Sequence, residues 1–136
     1  MILLDAGPLV ASMFVDDENH HRSANALRNA TDSMSVPSVV IAEVAHFLGR
    51  ARKTSEEARF LLSIAEGRMP VADPVSADYR RAAELVRQYA DFPLGAVDAL
   101  IVAMAERLRV TTIFTLDVRH FSAIRPAHCE SFTLVP

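Results

Sequence analysis

The chain has 136 residues, 51% of them hydrophobic and 23% charged, with four Gly and seven Pro. That length and balance predict one globular domain over residues 1–136, with a proper core and no disordered composition. The formal charge of −3 argues against a generally basic nucleic-acid binder, and Cys129, the one cysteine, excludes an internal disulfide and a thiolate metal cluster.

Met1-Ile2-Leu3-Leu4 is an apolar run closed by Asp5 and then by Ala6-Gly7-Pro8, which reads as a buried parallel strand ending in a carboxylate. Residues 8–14 predict a short helix, and Asn19 is placed as the N-cap of a second one reaching Ala30, with Ala24, Leu27 and Ala30 at core spacing. Met34-Ser35-Val36 is a short strand. Pro37 and Ser38 open a helix through Leu48 that Gly49 ends. Thr54-Ser55-Glu56-Glu57 has the capping-box pattern of a helix that Gly67 closes.

Residues 69–75, with Pro70 and Pro74, are restricted to a short or edge strand. Ser76 caps the next helix, whose buried stripe is assigned to Tyr79, Ala82, Ala83, Val86 and Tyr89 or Ala90. A loop over 91–95 leads to an apolar helix from Ala96 to Arg107. Thr111 to Leu116 is a β-branched strand that also ends in an acid, Asp117, and residues 131–135 form the last strand. Short strands alternating with helices indicate an α/β fold with a parallel sheet.

Asp5 and Asp117 each follow an apolar strand, so in a parallel sheet they emerge at the same edge, where open α/β sheets bind ligands. Glu43 interrupts Val39-Val40-Ile41-Ala42-Glu43-Val44-Ala45, and Asp98 stands in the first turn of the most apolar helix. Three have a bland explanation: Asp5 and Asp117 as turn residues, Asp98 as a complement to the helix dipole. Glu43 has none, and acids in such settings are rarely buried without a partner. Converging carboxylates raise one another's pKa unless a cation lies between them. An all-oxygen donor set suits Mg²⁺ or Mn²⁺, one of whose waters can become the nucleophile toward a phosphodiester.

Thr115, two residues before Asp117, points the same way along the strand and can orient a carboxylate or the water. Adjacent His20 and His21 are expected at the surface rather than on a metal. Thirteen of the fourteen cationic residues are Arg, a side chain suited to phosphate. Arg50, seven residues after Glu43 on roughly the same helix face, and Arg119 are the candidate phosphate contacts.

The segments Ile2-Leu3-Leu4-Asp5-Ala6-Gly7-Pro8-Leu9, Pro37-Ser38-Val39-Val40-Ile41-Ala42-Glu43-Val44, Val97-Asp98-Ala99-Leu100-Ile101-Val102-Ala103 and Ile113-Phe114-Thr115-Leu116-Asp117-Val118-Arg119-His120-Phe121 together resemble the PIN-domain ribonucleases, most closely the VapC-type toxins of bacterial toxin–antitoxin pairs. The resemblance implies a three-layer α/β/α fold whose parallel sheet has strand order 3-2-1-4-5. It makes Asp5, Glu43, Asp98 and Asp117 the metal-binding quartet; these four and Thr115, read from its place two residues before Asp117, are the candidate catalytic residues. It also implies Mg²⁺- or Mn²⁺-dependent cleavage of structured RNA to 5′-phosphate and 3′-hydroxyl ends, a homodimer, and an antitoxin that covers the acidic site.

Ala6 departs from the hydroxyl residue this family often has after the first Asp. The competing reading is a PIN-like domain that binds RNA or protein without cutting. A haloacid-type phosphatase needs an acid where Gly7 stands, and a receiver domain needs a Lys after a late strand, whereas Lys53 is the one lysine and lies in a loop. The expected compartment is the cytoplasm, since no basic region precedes the first apolar run and no 18-residue apolar run exists.

Overall fold

The computed structural model describes residues 1–92 and 94–136; Pro93, within the loop expected over 91–95, lies outside them. Strand β1 (Ile2–Leu4) leads into helix α1 (Ala6–Met13) and α2 (His20–Asn29), then β2 (Met34–Pro37), α3 (Ser38–Arg50) and α4 (Thr54–Ala65). The second half runs β3 (Val71–Ala72), α5 (Ser76–Gln88), α6 (Ala96–Leu108), β4 (Thr112–Phe114), α7 (Val118–Ala123) and β5 (Thr133–Val135). The five strands form one sheet of order β3-β2-β1-β4-β5, and every pairing is parallel. No helix among the described residues is long and apolar enough to cross a membrane.

All of β1 is buried, as a central parallel strand with covered faces must be. It pairs through Leu3 with Ser35 on one side and with Ile113 on the other. Beneath the sheet, α6 buries the unbroken run Ala99 to Ala105. A helix apolar nearly all round is stable only inside the core. Its first turn therefore projects from a fixed position at the sheet's edge, and that turn carries Asp98.

The pairing of α5 with α6 corrects the expected stripe on α5. Asp78, Ala82 and Leu85 face inward, whereas Tyr79 is 53% exposed and Ala83 and Val86 are exposed too. Ion pairs set this rotation. Asp78, 1% exposed, receives Arg107 Nε at 2.9 Å and also accepts from the Val75 N–H at 2.8 Å. Arg81 grips both carboxylate oxygens of Glu106, at 2.7 and 3.0 Å. A buried charge must be paired, and this requirement outweighs a purely apolar pattern.

Several caps differ from expectation. α1 starts at Ala6 rather than Pro8, because Asp5 itself is the N-cap; Pro8 then falls in the first turn, where its missing N–H costs nothing. Asn19 flanks α2 without a side-chain cap bond, and α3 runs through Gly49 to Arg50. Thr54 is the first helical residue of α4, after Lys53, so no capping box forms there. Ser76 likewise lies inside α5, one residue past its N-cap Val75. Gly67, at φ 71°, does close α4, in the left-handed conformation that glycine adopts freely.

Candidate metal centre

At the carboxyl edge of the sheet, β1 and β4 end side by side. The Asp5 N–H donates to the Phe114 carbonyl at 2.9 Å, which extends the ladder one residue beyond β1. Asp5 then caps α1: its Oδ1 accepts from the Ala6 N–H at 2.7 Å. Asp117 caps α7 in the same manner, its Oδ1 accepting from the His120 N–H at 3.0 Å. The capping role that could have explained these acids away is thus real, yet it leaves a second oxygen on each.

Thr115 ties the two together. Its hydroxyl donates to Asp5 Oδ2 at 2.7 Å and accepts from the Asp117 N–H at 2.9 Å. Its own N–H bonds the Val135 carbonyl at 2.7 Å, so the hydroxyl is held by the sheet. Replacing Thr115 by Val keeps the β-branched shape and removes both side-chain bonds. We expect divalent-ion affinity to fall by about tenfold or more, as for other residues that orient a ligand, with little change in far-ultraviolet circular dichroism. Isothermal titration with Mn²⁺ measures it.

Asp98 from α6 and Glu43 from the middle of α3 complete the group. Burial pushes Asp98 up to about 6, and the charges of Asp5, Asp117 and Glu43 push the same way against an opposing pull from His120. Asp5 is raised by burial, in spite of the hydrogen bonds from Thr115 and Ala6 and with a contribution from Asp117. Glu43 is raised by burial and by Asp5. Asp117 differs: burial raises it, but the hydrogen bonds and charge of His120, with Arg119 nearby, hold it below the usual carboxylate range. Asp98 thus lies close enough to feel all three other acids, and Asp5 to feel Asp117 and to act on Glu43.

Oxygen-rich, mutually repelling and already oriented by a hydroxyl and two helix caps, this donor set fits a hard divalent ion. Asp98, Asp117 and His120 each offer one ligand atom within 4.8 Å of the others. The remaining candidates fall elsewhere. Arg119 is exposed and stacks its guanidinium over Phe92, 5.4 Å from the ring centroid, beside the site. Arg50 is exposed at the end of α3, in a groove with Val10, Phe14, His46 and Phe47, and is not among the charges acting on the four acids. His20 bonds the Ala11 carbonyl instead and joins α2 to α1.

His120 is the site residue that the sequence reading passed over. Its signal is the Asp-x-x-His spacing at a helix start, which sets the two side chains one turn apart.

The PIN domain family pattern matches residues 2–125, and hence every residue of the cluster. This chain belongs to the PIN-domain family. It is 31% identical to Ribonuclease VapC26 of Mycobacterium tuberculosis over 135 residues, covering 99% of this chain and 100% of that one. The fold is similar to the Mycobacterium tuberculosis toxin VapC20, which cleaves the sarcin–ricin loop: TM-score 0.79 at 18% identity, over 96% of this chain and 99% of that one. It is also similar to VapBC2 of Rickettsia felis, whose structure is bound to a DNA fragment from its promoter: TM-score 0.71 at 19% identity, over 98% and 97% of the chains. The expected order 3-2-1-4-5 is the order found, with the first strand central.

Proposed function

We propose that this PIN-domain protein is a divalent-metal-dependent endoribonuclease, the toxin of a toxin–antitoxin pair, with Asp5, Glu43, Asp98 and Asp117 as its metal-binding and catalytic set. The observation that carries this reading is the gathering of acids at the sheet's carboxyl edge, where Thr115 joins Asp5 to Asp117 and an oxygen of Asp98 lies within 4.8 Å of one of Asp117. A fold does not hold such a cluster for stability's sake, and perturbed carboxylates gathered in one place mark functional sites. The likeness to Ribonuclease VapC26 over the whole chain supports the substrate class.

Bound Mg²⁺ or Mn²⁺ would supply Lewis-acid activation of a water and neutralise charge gathering on the phosphate. The chain's own residues do the rest. Asp5 and Asp117 are aimed by Thr115 and by their helix caps, so that little reorganisation is needed at the moment of reaction. Asp98, mostly ionised at neutral pH, would be held in that form by the ion's charge. Hydrolysis puts the water oxygen on phosphorus and breaks the bond to the 3′ oxygen, giving the 5′-phosphate and 3′-hydroxyl ends that the resemblance implies. Arg119, whose charge reaches Asp117, would meet a phosphate beside the acids and offset the chain's overall negative charge locally.

The same reading makes an antitoxin protein the partner and a homodimer the working assembly. The apolar groove of Tyr79, Ala83, Val86, Ala96 and Leu100 between α5 and α6 is a surface suited to a second copy.

The test is incubation of the purified protein with total RNA, with and without Mg²⁺ or Mn²⁺, followed by mapping of the cut ends. Discrete metal-dependent cuts bearing 5′-phosphates are expected. Binding of RNA with no cleavage at any metal concentration would instead establish the non-cutting alternative.

A further inference from the structure

Beside the four acids stands an imidazole. His120 follows Asp117 by three residues, and the carboxylate that starts α7 also fixes where the imidazole emerges. Asp117 Oδ1 accepts the His120 N–H at 3.0 Å, while Asp117 Oδ2 lies 2.5 Å from His120 Nδ1. From the other side, the ring of Phe92 meets the imidazole edge to face, with centroids 5.0 Å apart. A backbone cap, a carboxylate and an aromatic wall thus hold a half-buried imidazole against the acids.

One reading makes His120 only a hydrogen-bond donor to Asp117, and for a lone pair of this kind that would suffice. The third member of the group argues for more. Asp98 comes from a different helix, and its carboxylate oxygen, an oxygen of Asp117 and a nitrogen of His120 all lie within 4.8 Å of one another. An octahedral ion with bonds of about 2.1 Å spaces its ligands roughly 3 Å apart when adjacent and roughly 4.2 Å when opposite. The three side chains therefore need only small rotations to share one ion.

We infer that His120 is a direct ligand of the divalent ion, alongside Asp98 and Asp117, and that its nitrogen biases the site toward Mn²⁺ over Mg²⁺. Imidazole binds transition ions better than it binds Mg²⁺, and affinity for a nitrogen-containing site rises from Mn²⁺ along the first row. An all-carboxylate site, whose oxygens suit Mg²⁺ and Mn²⁺ alike, would show a weaker preference. The inference rests on the metal centre proposed above and specifies its chemistry.

The experiment uses the full chain loaded with Mn²⁺ and no RNA. Electron spin-echo spectroscopy of the bound ion reads directly coordinated ¹⁴N, and competition with Mg²⁺ gives the relative affinity. Wild-type protein is expected to show strong ¹⁴N coupling that disappears in His120→Asn. The Mn²⁺ over Mg²⁺ preference of that variant should fall about tenfold, at the low end of the losses seen when a metal site's supporting residues are removed.

Mn²⁺ bound without nitrogen coupling in the wild type would overturn the inference while leaving an acidic metal site intact, as would an unchanged preference in a folded variant. The wild-type spectrum stands even if the variant fails to fold. No binding of Mn²⁺ at millimolar concentration would remove the metal centre itself, and this inference with it.

Discussion

Asp98→Asn is expected to lower metal-dependent RNA cleavage by at least about a hundredfold, while the metal-free protein becomes more stable. The two effects share one cause. Asp98 sits in the first turn of α6, whose following residues are buried without a break from Ala99 to Ala105, so the amide takes the carboxylate's place without moving the helix. A metal ligand that stabilises developing charge contributes several kcal/mol, and each 1.36 kcal/mol is about tenfold in rate. Without an ion the same carboxylate is a burden at neutral pH. In a fully buried group the rise from 3.8 to about 6 would be roughly 3 kcal/mol against the ionised form; Asp98 is partly exposed, and screening by water leaves about 2 kcal/mol. Asn removes that penalty, less some tenths of a kcal/mol for the lost attraction to the helix N-terminus. Urea unfolding in EDTA at pH 7 should give a gain of about 2 kcal/mol. Undiminished cleavage by the purified variant, in a preparation shown free of other nucleases, would remove Asp98 from the chemistry.

That pairing of opposite effects bears on what could be read from the chain alone. Asp5 and Asp117 were legible because a strand's end and a parallel sheet fix an edge, whatever the loops do. Thr115 followed from the two-residue period of the same strand, and it reaches both acids by hydrogen bonds. Glu43 and Asp98 stood out as charges in apolar helices, where their neighbours dictate burial.

Less legible was whatever depended on one helix's rotation against another. On α5 the periodicity allowed either of two overlapping faces, and the pairs Asp78–Arg107 and Arg81–Glu106 chose between them. Those partners lie well apart in sequence, and no local pattern announces them. The caps at Asn19, Thr54 and Ser76 failed for a related reason: a suitable side chain permits a cap bond but does not compel one. His120 was hidden by ordinariness, since an imidazole three residues after an acid gains meaning only when Asp98 arrives from α6.

The stability of the metal-free protein should fall as pH rises from about 4 to about 6, and a divalent ion should restore it above that range. The sign follows from proton counting. Asp98 holds its proton in the folded state up to about 6, while in the unfolded chain it ionises near 3.8. Below both values the proton is bound in either state and nothing is lost. Between them the unfolded chain alone releases it, so the folded state loses ground steadily, by about 2 kcal/mol once both are passed.

Asp5 and Glu43, also raised, add to the same trend. Asp117, held low by His120 despite its burial, works oppositely: its contribution is present above its unfolded pKa and disappears as pH falls through its folded one. The cleanest measure is therefore the stability difference between Asp98→Asn and wild type, which should be near zero at pH 4 and reach its full size above pH 6. An ion at about a hundred times its dissociation constant returns roughly 2.7 kcal/mol. For a chain of this length that is on the order of 8 °C in Tm. At pH 5 the gain should be much smaller, because the ion must first displace the Asp98 proton. Equal Mn²⁺-induced shifts at pH 5 and pH 7 would mean that the ion does not bind at Asp98, and the acids would need another explanation for standing so close.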